Sequence, residues 1–170
     1  MTPAINAAKK AGIHFRVQEY EHSPTAESFG LEAAEKLGLS PDQVFKTLVV
    51  TDGKKVYVGV LPVSKQLNLK LMARALGLKR VTMADKQQVA VSTGYVVGGV
   101  SPIGQKKSLP TIIDSSAQTL NSINVSAGRR GLEIELSARD LQRLTSATFA
   151  DIADFCSAYP PAAETDGDSD

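Results

Sequence analysis

Val44-Phe45-Lys46-Thr47-Leu48-Val49-Val50-Thr51-Asp52-Gly53-Lys54-Lys55-Val56-Tyr57-Val58-Gly59-Val60-Leu61-Pro62 decides the fold class. The run 44–51 is nearly all apolar and reads as a core strand, interrupted only by Lys46 and Thr47. Asp52-Gly53 then supplies the strongest hairpin signal in the chain, because both residues tolerate the positive φ of a tight turn. A return strand over about 55–61 ends at Pro62, which has no amide to donate. Two adjacent strands joined by a tight turn must run antiparallel.

Outward from this hairpin, helical and extended segments mix without strict alternation. A helix is expected over about 3–11, with Thr2 as N-cap, Pro3 in the first turn and Gly12 as its stop. Residues 15–20 alternate and read as a strand, and His22-Ser23-Pro24 as a loop. Ser28 opens a helix to about Leu37. Further helices are expected over about 67–76, ended by Gly77, and about 84–91, with Thr82 as the candidate cap. The apolar run Tyr95-Val96-Val97 reads as a strand leading into Gly98-Gly99-Val100-Ser101-Pro102-Ile103-Gly104. Short strands follow at 111–114, 123–126 and 132–136, with a helical turn near 117–121. In the last of these strands Glu133 and Glu135 alternate with Leu132, Ile134 and Leu136, which implies one wet face. Ser137 with Asp140 resembles a capping box and opens a helix to about Leu144. Thr148 and Asp151 open a last helix to about Ala158. The order is not the βαβ repeat of a doubly wound sheet. The expectation is α+β: a mixed, curved, barrel-like sheet flanked by helices. One domain spans 1–159, and 160–170 is a disordered acidic tail.

Composition narrows the function classes. The chain has 170 residues, 42% of them hydrophobic and 22% charged, as in an ordinary globular protein. Trp is absent and aromatics are 5%, so aliphatic side chains must build the core. The lone Cys156 excludes an internal disulfide and fits a reducing compartment. One cysteine and two histidines, His14 and His22, argue against a transition-metal site. No segment resembles a signal peptide or approaches the ~20 apolar residues of a membrane span. The expected location is the cytoplasm, with no membrane partner, metal or cofactor. Formal charge is +1, but Glu164, Asp166, Asp168 and Asp170 sit in the final seven residues; without them it is +5, which permits contact with phosphate.

Several residues carry chemical potential. Lys46 interrupts a core strand, and a buried lysine needs a partner or a route to water. Either it snorkels at the strand's start, or it enters a polar pocket and binds a phosphate, carboxylate or carbonyl. Both readings stay open on pattern alone. The glycines of 98–104 let backbone groups approach a ligand, as in an oxyanion hole, or simply form a loop. Tyr20 ends a strand and offers a hydroxyl, or caps the core edge. His22 reads as a structural or solvated loop residue rather than a base, since no Ser-His-Asp or Cys-His geometry can be inferred from it, and Cys156 as a small buried side chain rather than a nucleophile. Arg129 and Arg130, between Gly128 and Gly131, suit phosphate contact or a solvated turn. No Walker A or GxGxxG pattern occurs.

Together, these pieces resemble the YbaK-type Cys-tRNA(Pro) deacylases, within the group of YbaK and prolyl-tRNA-synthetase editing domains. The match rests on Thr2-Pro3-Ala4, Tyr20 with His22, Ser28-Phe29-Gly30, Val44-Phe45-Lys46-Thr47-Leu48, Gly98 through Gly104, and Ser126-Ala127-Gly128-Arg129-Arg130-Gly131. The motifs run in family order over about 2–157. The resemblance implies an enzyme, a hydrolase or lyase of translation fidelity that acts in trans beside prolyl-tRNA synthetase on cysteine misjoined to proline tRNA. Discrimination by one small apolar difference is worth only ~1–3 kcal/mol, so a separate clearing site answers a physical need. The implied route is substrate-assisted, with the cysteine thiol attacking its own ester to give a thiolactone. The resemblance assigns Lys46 the catalytic place. It puts Tyr20, Phe29, Thr47, Gly98, Gly99, Val100, Ser101, Pro102, Ile103, Gly104 and Asp114 around the aminoacyl group, and Arg129 and Arg130 toward tRNA. A water-dependent Ala-tRNA(Pro) deacylase of the same fold, a non-catalytic aminoacyl or nucleotide binder, and a structural partner of the synthetase are the alternatives.

Overall fold

The computed structural model describes residues 1–24 and 29–155, without the side chain of Phe29. The expectations placed on Ser28, on Cys156 and on the tail 160–170 lie outside the described residues.

Helix α1 (Pro3–Ala11) forms as its caps dictate. The Thr2 hydroxyl accepts the Ile5 N–H, Lys9 and Lys10 sit at the negative end of the dipole, and Gly12 closes the helix at φ +69°. Thr2 also donates its hydroxyl to the Ala127 carbonyl, which pins the helix to distant chain. Strand β1 (Phe15–Glu19) follows, then α2 (Phe29–Leu37).

Strands β2 (Phe45–Thr51) and β3 (Val56–Pro62) form the expected hairpin, with Lys46 opposite Leu61. Its turn is tight: the Asp52 carboxylate accepts the N–H groups of Lys54 and Lys55, both at 2.8 Å, and Gly53 takes φ +97°. Next come β4 (Lys65–Leu67), α3 (Leu69–Leu76), β5 (Thr82–Met83), α4 (Lys86–Thr93) and β6 (Thr111–Asp114). A 3-10 turn at Ser115–Thr119 leads to β7 (Ile123–Arg129) and β8 (Leu132–Leu136). The described chain ends with α5 (Ala138–Thr145), β9 (Thr148–Ala150) and β10 (Ala153–Phe155).

Three ladders result, with strand orders β1-β8-β7, β10-β4 and β5-β2-β3-β6-β9. The last is mixed: β3-β6 and β6-β9 are parallel and the rest antiparallel. A bridge between Val44 and Asn124 joins it to the first ladder. This is the expected α+β class, and no closed barrel forms among the described residues.

The main core lies between the two larger ladders, where Phe45, Val49, Val60 and Ile113 meet Val125 and Ile134. A second cluster packs Val50, Leu61 and Ile112 beneath Met72 of α3. Strand β2 thus contributes alternate residues to two cores, which explains its nearly continuous apolar sequence.

Four local expectations are corrected. The last helix is two short strands, β9 and β10. Thr148 and Phe149 extend the sheet alongside β6, and the Ile152 N–H is taken by the Asp114 carboxylate at 3.0 Å. Tyr95-Val96-Val97 is not a strand. Tyr95 is buried and donates its hydroxyl to the Ile103 carbonyl, which folds the segment over the core, while Val96 and Val97 stay exposed. Thr82 pairs within β5; Asp85 caps α4 in a reciprocal box with Gln88. Finally, Glu133 is not on a wet face and keeps only 6% of its surface. Both faces of β8 are covered at that point.

Candidate active site

A cavity of about 440 Å³ is lined by residues of both larger ladders. This is within the range of small-molecule sites. Strand β2 forms its floor, with Lys46 and Thr47 both in the lining. The β7–β8 end contributes Ser126, Arg129, Arg130 and Glu133, and the glycine loop contributes Val97, Gly98 and Val100. Met83 of β5, Lys86 of α4, Tyr20 and Gly30 also belong to the lining. The lysine-bearing strand and the glycine bend therefore meet at one concavity.

Glycine is required at specific points of this wall. A Cβ on Gly99 would lie 2.9 Å from the Arg129 Cα, and one on Gly30 would lie 2.3 Å from Val63 Cγ1. The Gly98 backbone takes φ +96°. Gly99 donates its N–H to the Val96 carbonyl at 2.9 Å, and Arg130 Nη2 holds the Val97 carbonyl at 3.3 Å. The N–H groups of Gly98 and Val100 make no hydrogen bond among the described residues, and both residues belong to the lining.

The electrostatics are asymmetric. Lys46, Lys86, Arg129 and Arg130 bring four cations to the lining, and Glu133 is its only acid among the described residues. Burial pushes the Glu133 carboxyl up to about 8, and its Oε1 has no partner among the described residues. The buried Thr47 hydroxyl is likewise unpartnered there. Unsatisfied buried polar atoms are costly, and two in one cavity mark a place for a polar ligand. Burial also raises the Tyr20 hydroxyl, assisted by Glu133 and Glu32 and opposed by the Gly131 backbone. Arg129 pairs with Glu19 at 3.5 Å on the exposed rim, a contact of little energetic weight.

Of the residues the sequence singled out, Lys46, Thr47, Tyr20, Gly98, Val100, Arg129 and Arg130 share the cavity. Gly99 lies behind the loop against Arg129. Ser101, Pro102 and Ile103 are buried away from the lining, where Ser101 Oγ accepts the Ile103 N–H. Gly104 turns at φ +70° against Pro3. Asp114 sits in β6, its carboxylate bound to Ser116 and the Ile152 N–H. His22 pairs with Glu32 at 2.7 Å, outside the lining. Sequence reasoning missed Glu133, Lys86, Met83 and Val97. The Glu133 signal was present, as one acid of an alternating strand directly after Arg129-Arg130-Gly131, but alternation alone reads as solvent exposure.

Among the described residues the lining contains no histidine or cysteine and no nucleophile–base pair, and Ser126 Oγ accepts the Gly128 N–H at 3.1 Å. Among the described residues no cluster of three or more His, Cys, Asp or Glu is placed to hold a metal, and no helix is long and apolar enough to cross a membrane.

The family model described as the aminoacyl-tRNA editing domain matches residues 22–144. The chain belongs to this family. Among curated relatives of this editing domain, the Enterococcus faecalis protein named "Putative Cys-tRNA(Pro)/Cys-tRNA(Cys) deacylase EbsC" is 41% identical over 137 residues, covering 79% of this chain and 84% of that one. The proline–tRNA ligase of Shouchella clausii is 31% identical over 100 residues, which make up 59% of this chain and 18% of the ligase. Among solved structures, "a putative trans-editing enzyme for prolyl tRNA synthetase" superposes with a TM-score of 0.80 at 25% identity, covering 89% of this chain and 95% of that one. The hypothetical protein APE2540 superposes with a TM-score of 0.80 at 30% identity, covering 89% and 99%.

Proposed function

We propose that this editing domain deacylates Cys-tRNA(Pro), in the cytoplasm and beside prolyl-tRNA synthetase, with residues 1–159 as one working unit. The observation that supports the reading is a cavity with cationic, amide and carboxyl groups for an aminoacyl ester and, among the described residues, no histidine or cysteine to activate a nucleophile. We assign the attack to the substrate's own thiol.

The cysteinyl sulfur attacks the ester carbonyl of its own residue. A carbon–sulfur bond forms, the bond to the ribose oxygen breaks, and the thiol proton ends on that oxygen. The products are deacylated tRNA and a cysteine thiolactone, which water opens. Holding the thiol in a near-attack geometry supplies much of the advantage. Lys46 and the amides of Gly98 and Val100 stabilise charge developing on the carbonyl oxygen. Glu133 and the Thr47 hydroxyl face the substrate's α-ammonium, whose charge favours the ionised carboxylate. Tyr20 and the Phe29 position border the side-chain end. Arg129 and Arg130 meet the nucleotide's phosphate. Gly99, Ser101, Pro102, Ile103, Gly104 and Asp114 act at one remove, by fixing the wall's shape.

The test is deacylation of proline tRNA charged with Cys, Ser, Ala or Pro, with the released product identified. Cysteine should leave fastest and as the thiolactone. Equal turnover of Cys and Ser esters contradicts the thiol route, and preference for Ala with release of free acid replaces it by attack of water.

A further inference from the structure

A second depression, about 670 Å³, lies across α4 from the cavity. The helix separates the two. At 100° per residue Lys86 and Val89 share one face, which lines the cavity, while Gln87, Gln88, Val91 and Ser92 point the other way and line the depression. Its walls are basic. The β2–β3 turn brings Lys54 and Lys55, the chain after α4 brings Lys107, and Val91, 53% exposed, shares the lining.

These lysines are placed by rigid backbone. The turn is fixed by the Asp52 carboxylate, and the opposite wall is tied to the end of α4 by Lys106 N–H to Thr93 O at 2.9 Å and Lys107 N–H to Ser92 O at 3.2 Å. Lys54, Lys55, Lys106 and Lys107 are exposed, and none forms a salt bridge among the described residues. The two nearby acids are engaged with amides. Asp85 caps α4, and Asp52 accepts the turn amides and the Tyr57 hydroxyl; neither forms an ion pair with a lysine, and the four lysines outnumber the two acids.

We infer that the Lys54/Lys55/Lys107 groove binds the sugar-phosphate backbone of the tRNA acceptor stem while the terminal aminoacyl ester occupies the cavity. The inference rests on the proposed editing function. Distance and charge both favour it. A helix with its side chains is ~10–12 Å across, and stacked nucleotides rise ~3.4 Å each along a strand. About three nucleotides therefore lead from the cavity over α4 to the groove, which matches a short single-stranded end meeting a duplex. Exposed lysines suit phosphates as point charges and carry no sequence preference.

The experiment compares wild type with Lys54→Ala/Lys55→Ala/Lys107→Ala, using uncharged proline tRNA for binding and two cysteinyl substrates for turnover: the full tRNA and a cysteinylated CCA trinucleotide. The triple variant should bind tRNA about tenfold or more weakly, and the slope of log K against log salt should fall by roughly two to three units. Its turnover of the trinucleotide should match wild type. Arginine at the same three positions should restore binding, which separates charge from fold. Unchanged tRNA affinity and salt slope overturn the inference, as does an equal loss from Lys79→Ala/Arg80→Ala, made at exposed cations outside the groove. Absence of turnover in wild type would defeat the editing function but leave the binding measurement to decide the groove.

Discussion

Gly99 and Arg129 meet backbone to backbone, with room for no atom between them: a Cβ on the glycine would lie 2.9 Å from the arginine Cα. The contact seats the glycine loop on the end of β7, so two walls of the cavity are mutually fixed. Gly99→Ala must move one of them. It is expected to lower stability by about 1–3 kcal/mol and to raise KM for Cys-tRNA, as read from melting and steady-state kinetics. Unaltered kinetics in this variant would mean the loop's seating does not shape the site.

Lys46→Ala is expected to lower kcat/KM by ~100-fold or more, with circular dichroism and melting close to wild type. Lys46 is half-buried and its neighbours Phe45, Val49 and Val50 carry the packing. Normal turnover by the folded variant would remove the lysine from the chemistry.

Glu133 gives stability a slope with pH. Its carboxyl titrates near 8 in the fold against 4.5 ordinarily, so the folded state holds the proton more tightly. Its contribution is complete below about pH 4.5 and is lost as pH rises toward 8. Glu133→Gln has no charge to bury and should gain on wild type between pH 5 and 9, by on the order of a few kcal/mol. Urea midpoints at the two pH values measure the difference. The same variant should raise KM if the carboxylate meets the substrate's ammonium.

Glu32 slopes the other way. Burial pushes its carboxyl up, but the Ser23 N–H at 2.6 Å, His22 at 2.7 Å and Lys36 at 2.9 Å outweigh this and hold it at about 2. The stabilisation is present above the ordinary glutamate value and is lost as pH falls from about 4.5 toward 2. Glu32→Ala should cost about 3 kcal/mol at neutral pH and flatten the acid limb of the stability curve. An unchanged acid limb would show that this buried cluster does not anchor the chain after Tyr20.

Much of this could be read from the sequence because local chemistry and tertiary demand agreed. The Asp52-Gly53 turn, the Thr2 and Ser137 caps and the alternating strands each formed as their residues dictate. The failures share a cause. Tyr95-Val96-Val97 has strand composition, but the Tyr95 hydroxyl found the Ile103 carbonyl instead of a ladder. Thr148-Phe149-Ala150 had helix-start residues, yet β6 offered an open edge. Glu133 looks solvated until it is found buried along with its neighbours Leu132 and Ile134 on the opposite face. Within the site, Lys46 and Gly98 were visible because each breaks a local pattern. Lys86 and Met83 break none, and only the placement of α4 and β5 brings them to the cavity.

Thr2 grips Ala127, and Gly104, at the end of the glycine loop, turns against Pro3. Met1 is 78% exposed, so a purification tag fused upstream has an open path to solvent. Trimming as few as three residues, by contrast, would unfasten a cavity wall some hundred positions downstream, and a shortened clone would fail for reasons no alignment of its catalytic motifs would reveal.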